Sequence, residues 1–412
     1  MSQSCFSQDG RREPRYENSD YNGLVSAAIN GVVTSVVNLA DGLSALGHDV
    51  RVLTLSGSLR SHREGNVTYI GSVGVGGIYP NARLKAAVTH REIQELLAWK
   101  PDVVHSQCEF STFFPAKKIA QACGAPLIHT YHTVYEDFTH YFSPSVRFGK
   151  YLAAAFSRKT LAKTQAVIVP TEKIKRLLQG YGVSTPIAVI PSGLALGQFE
   201  TPMDAPERKK LRAGFGISDG DRVLLYLGRL AQEKNVGELL ALLAGQTDSR
   251  VKLLLVGGGP YRTHLEQAVR ALGLEGRVVF AGMAPPDDVA RYYALGDLFV
   301  SASRSETQGL TYLEAMASGL PLLCRDDPCL SGVIEDGVNG FLYADAGEFQ
   351  DKLASLLDSE ELRRSMGGAG RETAFGHFSA RGFAGSVLAV YAGRSEGCPG
   401  DGSAVPMVLE TA

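Results

Sequence analysis

Short apolar runs separated by helix-length amphipathic stretches recur almost from end to end of this chain, and that alternation restricts it to an α/β architecture with parallel sheets. A strand covered by helices on both faces reads as a continuous apolar run, not as an alternation of apolar and polar residues. Segments 50–55, 102–105, 127–130, 166–169 and 188–190 have that character. Helical periods lie between them at 83–99, 114–123 and 146–163, and a helix over 32–46, stopped by Gly47, precedes the first run. Residues 191–199 and 201–206 then break the pattern with a cluster of turn formers, which marks a linker. The alternation restarts at 223–227, 251–256, 278–280 and 298–301.

Two such halves suit 412 residues, a length too great for one ordinary core. The expected division is a first domain over 20–195, a second over 196–375, a C-terminal helix at 376–395 crossing back, and a flexible tail at 396–412. Open parallel sheets hold ligands at the carboxyl ends of their strands, so two facing sheets leave a deep cleft as the binding site. With 44% hydrophobic and 20% charged residues the chain reads as globular, and a net charge of −2 gives no reason to expect nucleic acid as a partner. Its six cysteines are scattered without a CxxC pair, which points to a reduced, cytoplasmic protein without a metal site. The first twenty residues lack the apolar core of a signal peptide, and no apolar run reaches the roughly 18 residues of a membrane span.

The densest chemistry lies from Ser305 to Pro321, SETQGLTYLEAMASGLP, directly after the strand at 298–301. Glu306 falls in the loop, and 309–318 reads as a short helix closed by Gly319. Main-chain N–H groups at Gln308, Gly309 and Leu310 then form a helix N-terminus suited to a diphosphate. Glu306 can accept from sugar hydroxyls and Glu314 from the two hydroxyls of a ribose. The plain alternative, two solvated carboxylates on an amphipathic helix, leaves the Gly-Leu between them and the Ala-Ser-Gly-Leu-Pro ending unexplained. Three glycines at 257–259 make a strand-to-helix turn, Gly282-Met283 closes the next strand, and Asn30-Gly31 opens the first helix where a backbone can approach a phosphate or sugar closely. Asp219-Gly-Asp221 has the form of a metal-holding DxD, but it precedes a strand, at the wrong end of the sheet, and reads as a turn.

These motifs, with Gly228-Arg229-Leu-Ala-Gln-Glu-Lys234-Asn235 and His129-Thr-Tyr-His132-Thr133, resemble the retaining family-4 glycosyltransferases of GT-B fold, whose hallmark is two glutamates with seven residues between them. The resemblance runs over nearly the whole chain. It implies two Rossmann-like domains facing across a cleft and a nucleotide-sugar donor. Arg229 and Lys234 would hold the diphosphate, His132 would touch the sugar near the reacting carbon, and Gly31, Gly258 and Met283 would border the donor. Two fixed cations can stabilise the charge on a leaving diphosphate without a metal. The UDP-sugar is a substrate, and no separate cofactor or obligate protein partner is implied.

A narrower resemblance concerns the acceptor. Gln107-Cys-Glu109-Phe-Ser111 and the segment 129–141, with Glu136 and Asp137, look like the diacylglycerol glucosyltransferases of the family. Those enzymes move glucose from UDP-glucose to the 3-hydroxyl of diacylglycerol at the inner face of the membrane. The resemblance thus implies a lipid acceptor and a peripheral membrane location, with Glu109, Glu136 and Asp137 on the acceptor side. A family-4 enzyme with a soluble acceptor is the nearest alternative; an epimerase on the same fold fits the 129–141 segment and the glutamate spacing less well.

The stretch 145–163 follows with Arg147, Lys150, Arg158, Lys159 and Lys163 interleaved with Phe148, Tyr151, Leu152 and Phe156, and no acidic residue occurs between Phe138 and Thr171. Such a helix can lie on an anionic bilayer, or it can turn its apolar residues to the core and its lysines to water. One departure from the family stands out. Its first domain opens with a buried apolar strand, whereas residues 10–20 here carry three arginines and Pro14. Residues 1–19 are therefore expected not to form an ordinary strand, with order beginning near Tyr21, the first domain less stable than the second and turnover low; a catalytically impaired homologue lacking that strand is the further alternative.

Overall fold

The computed structural model describes residues 31–74, 83–85, 90–139, 143, 145–393 and 407–410. Two large sheets carry the molecule. The second has the order Val278–Gly282, Val251–Val256, Arg222–Leu227, Leu298–Ser301, Leu322–Arg325, Gly340–Tyr343, with every pairing parallel. Numbered along the chain this is 3-2-1-4-5-6, the doubly wound order in which strand succession reverses between the first and fourth strands. Alternate residues feed two cores. Val223 and Leu225 join Phe299, Tyr312 and Met316 on one face, while Leu224 and Tyr226 join Leu239, Leu253 and Val300 on the other. Burial on both faces is why these strands read as unbroken apolar runs.

The first sheet runs His62–Glu64, Val67–Ile70, Val50–Leu55, Met407–Glu410, Val103–Ser106, Leu127–Thr130, Ala166–Val169, Ile187–Val189, and only its outermost pair, His62–Glu64 with Val67–Ile70, is antiparallel. The helix Gly31–Ala45 covers one face together with Ala380–Tyr391: Val36, Leu39 and Leu43 share a buried cluster with Phe383, Ala384 and Val387. Helices His90–Trp99 and Phe113–Cys123 cover the other face through Ile93, Leu96, Phe113 and Ile119. Each such fully buried side chain contributes about 1.5–3 kcal/mol relative to exposure.

Two expectations need correction. Within the helical period assigned to 83–99 the described helix is His90–Trp99, and Arg83–Lys85 is a short strand antiparallel to Ser72–Gly74. The Arg83 guanidinium fixes it there, donating to Ser72 Oγ (2.6 Å) and to the carbonyls of Gly57 and Ser72 (2.8 and 3.2 Å). The tail expected to be flexible throughout contributes Met407–Glu410, which pairs in parallel with Val50–Leu55 on one side and Val103–Ser106 on the other. Four apolar or extended residues beyond a turn-rich stretch are too short a signal to distinguish from a frayed end. The segment 10–20 lies outside the described residues; in the sheet, the place between Val50–Leu55 and Val103–Ser106 is taken by Met407–Glu410.

Candidate active site

The reversal of strand order opens the second sheet between Arg222–Leu227 and Leu298–Ser301, and the loops leaving these two strands carry Arg229, Lys234 and Glu306. Lys234 Nζ donates to Glu306 Oε1 at 2.7 Å, and Arg229 is paired with Glu233. Burial alone would raise the Glu306 pKa, but the Lys234 charge and hydrogen bond outweigh it and hold the carboxyl below its usual range. The loops lie tightly together. A β-carbon on Gly257 would sit 1.9 Å from the Gly228 carbonyl oxygen, so only glycine admits that approach. A β-carbon on Gly258 would stand 3.1 Å from Cγ of Met283, which puts these two expected donor-side residues against each other with the Met283 side chain exposed.

The expected donor helix spans Leu310–Ala317 with Gly309 as its N-cap. Gly309 has φ 78°, and a β-carbon there would collide with the Tyr312 ring at 2.3 Å. Tyr312, fully buried with its hydroxyl 2.9 Å from Ser301 Oγ, thus fixes both the glycine and the direction of the helix N-terminus. The first N–H groups of that turn have no intrahelical acceptor. The Gln308 side chain is committed elsewhere: its Oε1 accepts from Ser192 N at 2.8 Å and its Nε2 donates to Ser192 O at 3.0 Å. Across the cleft, a β-carbon on Gly31 would lie 3.9 Å from Cδ1 of Leu310, so the helix Gly31–Ala45 begins opposite the helix Leu310–Ala317. Glu314 accepts from Tyr293 Oη at 2.8 Å, and burial raises its pKa to about 7 although that hydrogen bond opposes the shift.

On the first sheet, His132 donates from Nε2 to Gln107 Oε1 at 2.6 Å. Burial lowers its pKa to about 4; Glu109 opposes the shift and His129 adds to it, so the ring is neutral near pH 7. Glu109 is buried, with His129 Nε2 at 3.1 Å from one oxygen and Tyr135 Oη donating to the other at 2.5 Å. Glu136 and Asp137, on the turn Tyr135–Phe138, part company. Glu136 pairs with Lys150 at 2.8 Å, whereas Asp137 is raised by burial and opposed by the charge of Lys173. Sequence reasoning did not single out Tyr135, Tyr293, Ser192 or Lys173 as partners of the site; Tyr135 lies in the acceptor-like segment 129–141 and Ser192 in the linker, while no motif marks Tyr293 or Lys173.

Among the described residues no three His, Cys, Asp or Glu side chains gather as metal ligands. Asp219 is paired with Lys209, and Asp221 accepts from Ser218 N at 2.8 Å within the turn.

Comparison with known proteins gives the same two halves. Residues 29–198 match the description Glycosyltransferase Family 4 and residues 207–373 match Glycosyl transferases group 1. The chain is 35% identical over 341 residues to the alpha-monoglucosyldiacylglycerol synthase of Streptococcus pneumoniae, covering 81% of this chain and 77% of that one. It is 31% identical over 347 residues to the enzyme of the same name from Acholeplasma laidlawii, covering 81% and 86%. Among solved structures, HepE of Anabaena in complex with UDP and glucose superposes with a TM-score of 0.70 at 18% identity, covering 89% of this chain and 97% of that one, a likeness of fold. A doubly wound second domain with a paired-cation loop, a first domain facing it, and identities above 30% over most of the length have one reading: the chain belongs to the family-4 glycosyltransferases of GT-B fold.

Proposed function

We propose that this enzyme transfers glucose from UDP-glucose to a hydroxyl of diacylglycerol with retention of configuration. The observation that carries the proposal is the identity of 31–35% over 81% of the chain with enzymes named alpha-monoglucosyldiacylglycerol synthases. An alpha product from an alpha-linked donor is retention. In this reaction the acceptor oxygen bonds to the anomeric carbon on the face from which the diphosphate oxygen departs, the carbon–diphosphate bond breaks, and the hydroxyl proton passes to the departing diphosphate. Negative charge grows on the departing UDP, where Arg229, Lys234 and the N–H groups of 308–310 neutralise it. Glu306 receives the sugar hydroxyls and Glu314 the ribose hydroxyls. Gly31, Gly258 and Met283 border the donor, His132 meets the sugar as a neutral ring, and Glu109 lies toward the acceptor with Glu136 and Asp137.

A second observation supports a lipid acceptor. The helix Val146–Leu161 buries its small residues Gly149, Ala153, Ser157 and Thr160 and exposes Val146, Phe148, Tyr151 and Leu152. Of the two orientations open to this helix, the apolar residues take the outward one. Phe110, itself exposed, stacks on Phe156 with ring centroids 5.4 Å apart, and both rings meet Tyr135 edge-on. Tyr135 donates to Glu109, so the apolar surface runs continuously to the acceptor-side carboxylate. Arg147, Lys150, Arg158, Lys159 and Lys163 are exposed around it, a combination suited to a peripheral position on an anionic bilayer. Among the described residues no helix is long and apolar enough to cross a membrane.

The test is transfer from radiolabelled UDP-glucose to diacylglycerol in anionic mixed micelles, run beside soluble hydroxyl acceptors, with the anomer read by NMR. An alpha-glucosyl lipid is expected. Transfer to soluble acceptors alone, or a beta product, would overturn the proposal.

A further inference from the structure

The loop that carries Glu306 is held from the opposite domain. Lys173 lies in the first turn of the helix Glu172–Gly180, which packs beside the first sheet, and its Nζ reaches across to the second domain. There it donates to the carbonyl oxygens of Arg304 (3.0 Å) and Glu306 (3.1 Å) and to both carboxylate oxygens of Asp327 (2.8 and 3.0 Å). Asp327 follows the strand Leu322–Arg325 and is itself fixed, its Oδ1 accepting from Cys329 N at 2.8 Å. Thr171, two residues before Lys173, donates from Oγ1 to the Thr307 carbonyl at 2.8 Å. Ser192, also of the first half, holds the Gln308 amide from both ends. Carbonyls at 304, 306 and 307 and the side chain at 308 therefore take their partners from the far side of the cleft.

We propose that Lys173 is a positioning residue for glycosyl transfer, setting the Glu306 loop only when the two domains are docked. An ammonium has three donors, and here they are shared between an inner-face carboxylate and two loop carbonyls that no strand or helix satisfies. The Lys173–Asp327 pair supplies the inter-domain attraction. The carbonyl contacts convert that attraction into a fixed loop, so that the Glu306 carboxylate meets Lys234 and the donor sugar at one angle. UDP binds mainly to groups of the second domain that Lys173 does not touch, Arg229, Lys234, Glu314 and the N–H groups of 308–310, and so depends on this brace less than the sugar does. The brace matters for the sugar and the acceptor, which meet in the cleft. The inference rests on Glu306 as the sugar-binding carboxylate.

The experiment compares Lys173→Met, Lys173→Arg, Thr171→Val and Glu306→Ala by steady-state kinetics, UDP calorimetry, thermal melting and small-angle scattering with UDP bound. Lys173→Met is expected to lower kcat by roughly 10²-fold, the cost of a misplaced reacting group, with the UDP Kd changing far less. The scattering radius should grow as the domains part. Lys173→Arg, which can donate to the same oxygens, should recover part of the rate, and Thr171→Val should lower kcat in the same direction by less. A Lys173→Met enzyme with wild-type kcat while Glu306→Ala is inactive would overturn the proposal and leave the Glu306 assignment standing. Full activity in Glu306→Ala would instead remove that assignment. If Lys173→Met melts early, Thr171→Val decides: unchanged kcat overturns the proposal.

Discussion

Lys234 Nζ stands 2.7 Å from Glu306 Oε1, joining two loops that leave adjacent strands of the second sheet, and the Lys234 and Glu306 side chains are only 20% and 15% exposed. Arg229 is likewise held by Glu233, whose side chain is 6% exposed. Each of these two cations is thus neutralised by a carboxylate of its own domain. Replacing Lys234 with Ala removes the charge we propose for the diphosphate and takes from the buried Glu306 its hydrogen-bonded cation, after which burial pushes that carboxyl toward protonation. We expect kcat/KM for the donor to fall about 10²–10³-fold, with UDP affinity falling too. Arg229→Ala should act in the same direction. Calorimetry with UDP and steady-state rates measure both. Activity should persist in EDTA; a strict requirement for a divalent ion would show that the two cations do not suffice.

Much of this was legible because α/β strands buried on both faces leave uninterrupted apolar runs, and because the Glu306–Glu314 spacing and the loop at 228–235 are local in sequence. The same locality explains what was missed. Lys173, Ser192 and Tyr293 reach Asp327, Gln308 and Glu314 only after folding. A lysine one turn into an ordinary amphipathic helix gives no local sign of a partner 154 residues away. Arg83–Lys85 and Met407–Glu410 failed for a different reason: three- and four-residue strands are chosen by the sheet they join, not by their own composition.

Glu314 gives a pH signature. Burial raises its pKa to about 7, against an ordinary carboxyl value near 4.5. The protonated acid is therefore favoured in the fold; its contribution to stability is complete below about 4.5 and is lost as pH rises through about 7. Ribose hydroxyls donate best to the carboxylate, so donor affinity should increase between pH 6 and pH 8. Glu314→Gln should bind more weakly at pH 8 and lose the pH dependence. A UDP-glucose Kd flat over this range in the wild-type enzyme would contradict the assignment.

His132 titrates the other way. Its pKa of about 4 lies below the ordinary 6.5, so stability from the neutral ring is full above 6.5 and is lost as pH falls toward 4. Turnover should consequently show no inflection near 6.5 from this residue. His132→Ala should lower kcat while leaving UDP binding largely intact, since the ring bonds Gln107 of the first domain and, in the proposed site, meets the sugar and not the diphosphate. An unchanged kcat would return His132 to a packing role.

Docking through Val146–Leu161 predicts a lipid and salt dependence. Each basic residue near an anionic surface contributes about 1 kcal/mol, attenuated by salt over a Debye length of about 10 Å at 0.1 M. Vesicle sedimentation should rise with anionic lipid and fall with salt, and Phe148→Ser with Tyr151→Ser should reduce it while the melting temperature holds, because both side chains are exposed. Equal binding to neutral and anionic vesicles would exclude the electrostatic part of this account.

The strand Met407–Glu410 makes the firmest structural prediction. It lies between Val50–Leu55 and Val103–Ser106 and is parallel to both, so its backbone bonds serve two neighbours at once. The run 10–20, with its three arginines, is poorly suited to that place: one unpaired charge buried there would cost several kcal/mol, a large share of a domain's stability. Met407-Val-Leu brings no such charge, the strand's one acidic residue, Glu410, stands at its carboxyl end, and the register sets Val408 against Arg51 and Val104. A proline at an interior position of a central strand removes a ladder hydrogen bond that neither neighbour can replace. Val408→Pro, and a chain ending at Gly393, should therefore lower the melting temperature of the first domain and strip hydrogen-exchange protection from Val50–Leu55 and Val103–Ser106. UDP binding and protection in Arg222–Leu227, in the second sheet, should survive. Wild-type protection at Val103–Ser106 in the truncated chain would mean that the C-terminal strand is dispensable to the first domain.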